Sequence, residues 1–119
     1  MSTNPTQPPQ PALEIRTESA DGATLVHCRG RLTFEAAARF KNQVRPLIAE
    51  TKRLVIDFTD VAYMDSSGLG AVVSLYVSAK KAGCEFQLIN FNQRIRQLLG
   101  MTNVLSIFET CGKYMLKIQ

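Results

Sequence analysis

The sequence predicts a single α/β domain in which a mixed sheet of four to five strands has helices packed against it. A chain of 119 residues is long enough to form one hydrophobic core. After an opening hairpin, segments with strand and helix patterns alternate, and this order is typical of a partly parallel sheet. The nearly continuous apolar run at residues 53–58 is typical of a central strand covered on both faces.

The domain is predicted to open with a β-hairpin. Apolar and polar residues alternate over Leu13–Arg16, which is typical of a strand, and Thr24–Arg29 is predicted to form the second strand. Asp21-Gly22 between them is a strong turn signal. Residues 1–11 contain no charge and four of the five prolines, so we expect a flexible tail ahead of a domain spanning residues 12–119.

The first helix is predicted to start at Phe34, with Thr33 as its N-cap. Its apolar positions at helical spacing are Ala37, Phe40, Val44 and Leu47. Pro46 lies inside this run. Because proline lacks an N–H and clashes with the preceding turn, we expect it to bend the helix or end it near Arg45.

The second helix is predicted over residues 66–82, and Gly83 is its natural stop. Its apolar stripe consists of Leu69, Val72, Val73, Tyr76 and Val77.

The carboxy-terminal part is predicted to hold a strand at residues 85–90 and a short helix that Asn92 caps and Gly100 ends. Residues 105–109 are predicted to form a last strand. The final ten residues fit either a short strand or a helical turn.

Composition and charge argue against several classes of function. No apolar run reaches the roughly 18 residues that span a bilayer, and a signal-peptide pattern is absent, so we expect a cytoplasmic protein without membrane insertion. The net charge of +4 is scattered, which argues against nucleic-acid binding. The cysteines Cys28, Cys84 and Cys111 form no zinc or redox motif, and we expect the first two to be buried.

The loop between the central strand and the second helix is the most informative segment. Asp65 is a plausible N-cap, which places Ser66 at the first helical position. Amide groups there lack intrahelical acceptors, and the helix dipole is positive, so a phosphate on Ser66 is tolerated by the fold. A partner docked on the same loop would not tolerate it, because an unpaired charge in an interface costs about 3–5 kcal/mol. The loop therefore fits a modification-gated interface.

Gly68 and Gly70 follow the serines and leave two interpretations open. Each glycine costs about 1 kcal/mol relative to alanine inside a helix. They either admit a partner's backbone or a kinase active site near Ser66, or let the helix start pack closely against the sheet.

Catalytic interpretations are weaker. The nucleophile pattern GxSxG and the phosphate-binding pattern GxxxxGK[ST] are absent, and the only histidine, His27, lies within a predicted strand. Asp57, Asp60 and Asp65 surround one strand end, which suggests either a magnesium site or turn and capping roles, and we favour the latter. We expect neither enzyme activity nor a cofactor.

The segment Asp57–Gly70, with Met64-Asp65-Ser66-Ser67-Gly68-Leu69-Gly70 as its core, resembles the signature of the STAS domain. More narrowly, it resembles the bacterial anti-sigma factor antagonists. Residues 91–99 and 104–108 are similar to the family's third helix and following strand, so the likeness covers about residues 13–108.

The resemblance implies a partner switch. In this family the unphosphorylated antagonist binds an anti-sigma factor that is also a serine kinase of the GHKL type, and a sigma factor is released. Phosphorylation of the first serine, here Ser66, ends the complex, and a PP2C-type phosphatase resets it. By position, the resemblance implies a partner-binding surface formed by Thr33, Met64, Asp65, Ser67, Gly68 and Leu69.

The chain departs from the family before the first helix. The family usually has a Gly-Glu-apolar-Asp pattern, whereas this chain has Gly30-Arg31-Leu32-Thr33. Both acidic positions are lost, and one is reversed in sign. This change alters charge complementarity with a kinase, which acts chiefly on association rate and partner choice.

Two other functions remain open from the sequence. One is a partner-switch module with a different output, such as a secretion regulator or a signalling enzyme. The other is a STAS-like adaptor or subunit of a membrane transport system. Fold alone does not choose among these outputs.

Overall fold

The computed structural model describes the backbone of residues 12–101 and 116–117 and the side chains of residues 12–97. The predicted tail at residues 1–11, the predicted strand at residues 105–109 and Cys111 lie outside this range. The elements in chain order are β1 (Leu13–Ala20), β2 (Ala23–Leu32), α1 (Phe34–Ile48), β3 (Arg53–Met64), α2 (Ser66–Ala82), β4 (Glu85–Ile89), α3 (Gln93–Met101) and β5 (Leu116–Lys117).

The five strands form one mixed sheet in the order β1-β2-β3-β4-β5. β1 and β2 are antiparallel, and each later pair of neighbours is parallel. Asp21 and Gly22 both have positive φ angles, of 53° and 80°, which is the backbone geometry of a tight hairpin turn. The predicted hairpin and mixed sheet are confirmed, and among the last ten residues Leu116–Lys117 is a strand rather than a helical turn.

The first helix begins at Phe34 as predicted, but its capping and its end differ from the prediction. Thr33 occupies the N-cap position, but its side chain makes no capping hydrogen bond. The expectation that Pro46 ends the helix near Arg45 is wrong, since α1 continues to Ile48. Pro46 lies in the last turn, where little helix remains to be disrupted, and the buried Ile48 side chain holds that turn against the core.

Helix α2 spans the predicted residues, and Gly83 ends it with a φ of 72° in the left-handed region. Its buried face is formed by Gly68, Leu69, Ala71, Val72, Leu75, Tyr76 and Ala79. Val77 was predicted to belong to this face and is instead 42% exposed. Its position is rotated about 100° from Tyr76, which turns it out of the buried stripe.

The core lies between the sheet and the helices, with α1 and α2 also packed on each other. Along β3, Leu54, Ile56 and Phe58 are buried, while Val55 and Asp57 between them are only half-buried. The expectation that both faces of this strand are covered is therefore wrong for the described residues. No helix within the described range is long and apolar enough to cross a membrane.

Helix α3 begins as the sequence predicts. The Asn92 Oδ1 atom accepts the Ile95 N–H at 2.9 Å, so Asn92 caps the helix. The helix runs to Met101, one residue past the predicted stop at Gly100.

Strand β3 is twice as long as its predicted apolar part, and this length positions the loop that follows it. It runs in parallel beside β2 until Leu32 lies opposite Met64, the last residue of each strand. Because both strands end at the same level, α1 and α2 begin side by side at the carboxyl edge of the sheet.

Candidate docking and modification site

The candidate site lies where α1 and α2 begin. The Asp65 N–H donates to the Leu32 carbonyl at 3.3 Å, which extends the β2–β3 pairing by one residue. The chain then turns into α2 after Asp65 and into α1 after Thr33. Two helix amino termini, each with backbone N–H groups that lack intrahelical acceptors, therefore lie next to each other.

The carboxylate of Asp65 caps both helices. Its Oδ1 atom accepts the Gly68 N–H at 3.0 Å, which confirms Asp65 as the N-cap of α2. Its Oδ2 atom accepts the Phe34 N–H at 3.1 Å, at the first residue of α1. The cap that the sequence assigned to the Thr33 hydroxyl is supplied by a residue from another segment.

Ser66 is exposed at the first position of α2, and Ser67 is half-buried beside it. The first turn of α2 contains no acidic residue, so the positive end of its dipole is balanced only by the Asp65 cap. An anionic group on Ser66 would face free amides and solvent. The geometry therefore permits modification of this hydroxyl without disturbing the core.

The two glycines of the loop have different roles. A Cβ atom on Gly68 would lie 2.1 Å from the Leu32 carbonyl oxygen and 2.9 Å from its Cγ atom, so this residue must lack a side chain. A Cβ atom on Gly70 would meet nothing within 4 Å. Close packing explains Gly68, whereas Gly70 leaves an open surface on α2, four residues from Ser66.

The structure divides the residues predicted to bind a partner into two groups. Thr33, Asp65 and Ser67 are partly exposed at the helix starts. Met64 and Leu69 are only 4% and 6% exposed, because they pack into the core beneath the loop. Gly68 is buried as well. The side chains available at the surface near Ser66 are therefore fewer than the sequence motif suggests.

Two exposed aromatic residues near the loop were not predicted as site residues. Phe34 is 79% exposed at the start of α1, and Tyr63 is 41% exposed just before Met64. The Arg94 guanidinium lies 5.9 Å from the centre of the Tyr63 ring. In the structure the buried stripe of α1 consists of Ala36, Phe40, Val44 and Ile48, which leaves Phe34 outside it.

Asp57 and Asp65 have the turn and capping roles favoured from the sequence. The Asp57 Oδ1 atom accepts hydrogen bonds from the Thr59 N–H and hydroxyl at 2.9 and 2.6 Å and from the Asn90 side chain at 3.0 Å. Its Oδ2 atom lies 3.1 Å from His27 Nδ1. Burial raises the pKa of Asp57, but these hydrogen bonds outweigh it and hold the pKa below the ordinary value of 3.8. Within the described residues, no cluster of His, Cys, Asp and Glu fits a metal ion.

The described cysteines are free and buried, as predicted. Burial, with a smaller contribution from the Asp57 charge, raises the pKa of the Cys28 thiol to about 12. A thiol with this pKa stays protonated near neutral pH and is a poor nucleophile. Cys28 and the neighbouring His27 both lie in β2, away from the loop at the helix starts.

Comparisons with known proteins agree with this description. The STAS domain family matches the chain over residues 14–114. The anti-sigma-B factor antagonist of Bacillus subtilis (strain 168) is 31% identical over 88 residues, which cover 74% of this chain and 81% of that protein. The anti-sigma-B factor antagonist of Listeria monocytogenes is 38% identical over 99 residues, which cover 82% of this chain and 86% of that protein. The crystal structure of an anti-sigma factor antagonist from Mycobacterium paratuberculosis has a similar fold, with a TM-score of 0.73 at 22% identity over 81% of this chain and 82% of that one.

Proposed function

The chain belongs to the STAS domain family, and from this premise we propose that it acts as an anti-sigma factor antagonist in a partner-switching pathway. The observation that carries the proposal is the exposed Ser66 hydroxyl at the start of α2, beside a second helix start that the same carboxylate caps. The names of the two relatives support the sigma-factor output over a secretion, signalling or transport output.

In the proposed switch, the unphosphorylated loop docks on an anti-sigma factor that is also a serine kinase of the GHKL type. That complex releases the sigma factor. The kinase phosphorylates Ser66, the complex ends, and a PP2C-type phosphatase restores the hydroxyl. The antagonist contributes no catalytic group of its own in this scheme.

The physics of the loop supports a change in binding without unfolding. A phosphate adds about −1.5 to −2 charges at neutral pH, and at a helix amino terminus each charge is stabilising by about 0.3–1 kcal/mol. The same charge left unpaired in an interface costs about 3–5 kcal/mol, which corresponds to a loss of two to three and a half orders of magnitude in affinity. The fold therefore persists while the interface is lost.

Incubation with a GHKL-type kinase from the same genome and ATP, followed by peptide mass spectrometry, tests the proposal. We expect one phosphate on Ser66 in the wild type, none in Ser66→Ala, and continued modification of Ser66 in Ser67→Ala. Ser67 is the matched control, since it is the neighbouring hydroxyl on the same turn. Failure of every such kinase to modify Ser66 would contradict the proposed switch.

A further inference from the structure

We propose that Arg31, Tyr63 and Arg94, together called the basic–aromatic patch, bind an acidic segment of the protein partner. The inference rests on the proposed function, because the patch adjoins the Ser66 loop. It goes further by stating what kind of surface the partner must present.

The patch is assembled from three elements. Arg31 near the end of β2 lies opposite Tyr63 near the end of β3 in the parallel register. Arg94, in the first turn of α3, places its guanidinium over the Tyr63 ring. All three residues are exposed. The Tyr63 ring thus contacts the Arg94 guanidinium, and Arg31 lies beside Tyr63 on the neighbouring strand.

The charges of the patch are not neutralised within the described part of the chain. The ion pairs there join His27 to Glu18 and Asp57, and Arg53 to Glu85, so none reaches Arg31 or Arg94. Asp65, the acidic residue of the adjoining loop, is already engaged by two backbone N–H groups.

The chemistry of the patch favours carboxylates. Guanidinium groups bind carboxylates through two parallel hydrogen bonds, and stacking on an aromatic ring leaves their edge donors free to do so. Tyrosine and arginine are also among the residue types that are enriched at the binding hot spots of protein interfaces. An acidic peptide segment is therefore the occupant that this surface fits.

The patch also lies within electrostatic reach of the modification site. Tyr63 and Ser66 are three residues apart, so their Cα atoms are separated by at most about 11 Å. This distance is comparable to the screening length of about 8–10 Å at physiological salt. A phosphate on Ser66 would repel an acidic segment that is bound to the patch. It would also compete with that segment for the guanidinium groups of the patch. The patch would thus strengthen the effect of phosphorylation.

The test measures binding of the kinase that modifies Ser66 to the double variant Arg31→Glu/Arg94→Glu by surface plasmon resonance at low salt. The matched control, Arg16→Glu/Arg96→Glu, makes the same change in net charge at two exposed arginines outside the patch. We expect the patch variant to bind about tenfold more weakly, mainly through a slower association rate, and the control to stay within about threefold of wild type. Equal effects of the two double variants would overturn the inference.

A second arm separates this inference from the proposed function. If no kinase binds or modifies the protein, the proposed function fails, and the patch is then tested alone with an acetylated octaglutamate peptide in an NMR titration. Shifts of the Arg31, Tyr63 and Arg94 amide signals that are absent in the patch variant would support an acidic ligand. No shift at these positions, or tighter binding of an octathymidylate oligonucleotide than of the peptide, would overturn it. If the kinase modifies Ser66 but binds the patch variant normally, only the patch inference fails.

Discussion

Asp65 and Phe34 are 31 positions apart in the sequence, and the Asp65 Oδ2 atom accepts the Phe34 backbone N–H at 3.1 Å. The other oxygen of the same carboxylate accepts the Gly68 N–H. One side chain therefore fixes the starts of α1 and α2 relative to each other. Because Phe34 and Ser66 are the first residues of these helices, Asp65 also sets the geometry of the surface that we propose a partner recognises.

Replacement of Asp65 by alanine should destabilise the protein by about 1–2 kcal/mol, because it removes the acceptor for two helix-start N–H groups. Thr33→Ala is the control, since Thr33 occupies the N-cap of α1 but its side chain caps nothing. Its expected effect is below about 0.5 kcal/mol. Urea unfolding followed by circular dichroism measures both values, and a control as damaging as Asp65→Ala would refute the shared cap.

The two loop glycines should respond oppositely to alanine. Gly68→Ala forces a Cβ atom into the Leu32 carbonyl and should cost about 1–3 kcal/mol through overpacking. Gly70→Ala meets open space in a helix and should stabilise the fold by about 0.5–1 kcal/mol. Thermal unfolding of both variants measures whether each substitution raises or lowers the stability of the fold. If both variants lost stability equally, the assignment of close packing to Gly68 alone would be wrong.

The sequence predicted the local features of this fold and missed those that depend on distant segments. The Asp21-Gly22 turn, the Asp65 cap and the Gly83 stop were all found, because the signal for each lies within a few neighbouring residues. The second role of Asp65 was missed, since it exists only once β2 and β3 end at the same level. The end of α1 was misplaced because the burial of Ile48 outweighs the local effect of Pro46.

In the candidate site, too, the local features were predicted and those that depend on the folded chain were missed. The motif pointed to Ser66 at a helix start, and the structure places it there, exposed. The motif alone does not distinguish a surface residue from a buried one, so it grouped Met64 and Leu69 with the residues predicted to touch a partner. Arg94 comes from a helix outside the motif, and only the folded chain brings it to Tyr63.

Phe34→Ala should weaken partner binding while leaving the fold intact. The ring is almost fully exposed, so its removal should change stability by less than about 0.5 kcal/mol. As an aromatic side chain on the proposed interface, it should contribute more than about 1 kcal/mol to binding, which is about fivefold in affinity. Val77→Ala is the control, because this exposed apolar residue lies about 16 Å further along α2 than Ser66. Isothermal titration calorimetry measures the affinity of each variant for the kinase. Equal affinities for both variants would count against an interface at Phe34.

The hydrogen-bonded carboxylate of Asp57 should make part of the stability depend on pH. Because its folded pKa lies below the ordinary value of 3.8, its contribution is fully present above that pH and is lost as pH falls through the folded pKa. The melting temperature of Asp57→Asn should therefore lie below that of the wild type at about pH 7, and the difference between the two should be smaller at about pH 3. Asp60→Asn, an exposed carboxylate on the same strand, controls for the loss of one negative charge. A gap that widened in acid would contradict the depressed pKa.

Ser66→Asp should separate folding from binding. The new carboxylate sits at the first position of α2, where the dipole favours negative charge, so its unfolding free energy should stay within about 1 kcal/mol of wild type despite the neighbouring Asp65. In the proposed interface the same charge is unpaired, and kinase binding should weaken by at least about a hundredfold. Ser66→Asn is the matched control, since it has nearly the same size without the charge, and it should retain most of the affinity. Titration calorimetry beside urea unfolding measures both quantities on one preparation. Full-strength binding by Ser66→Asp would mean that the partner does not sense charge at this position, and loss of the fold would mean that the helix start does not tolerate it.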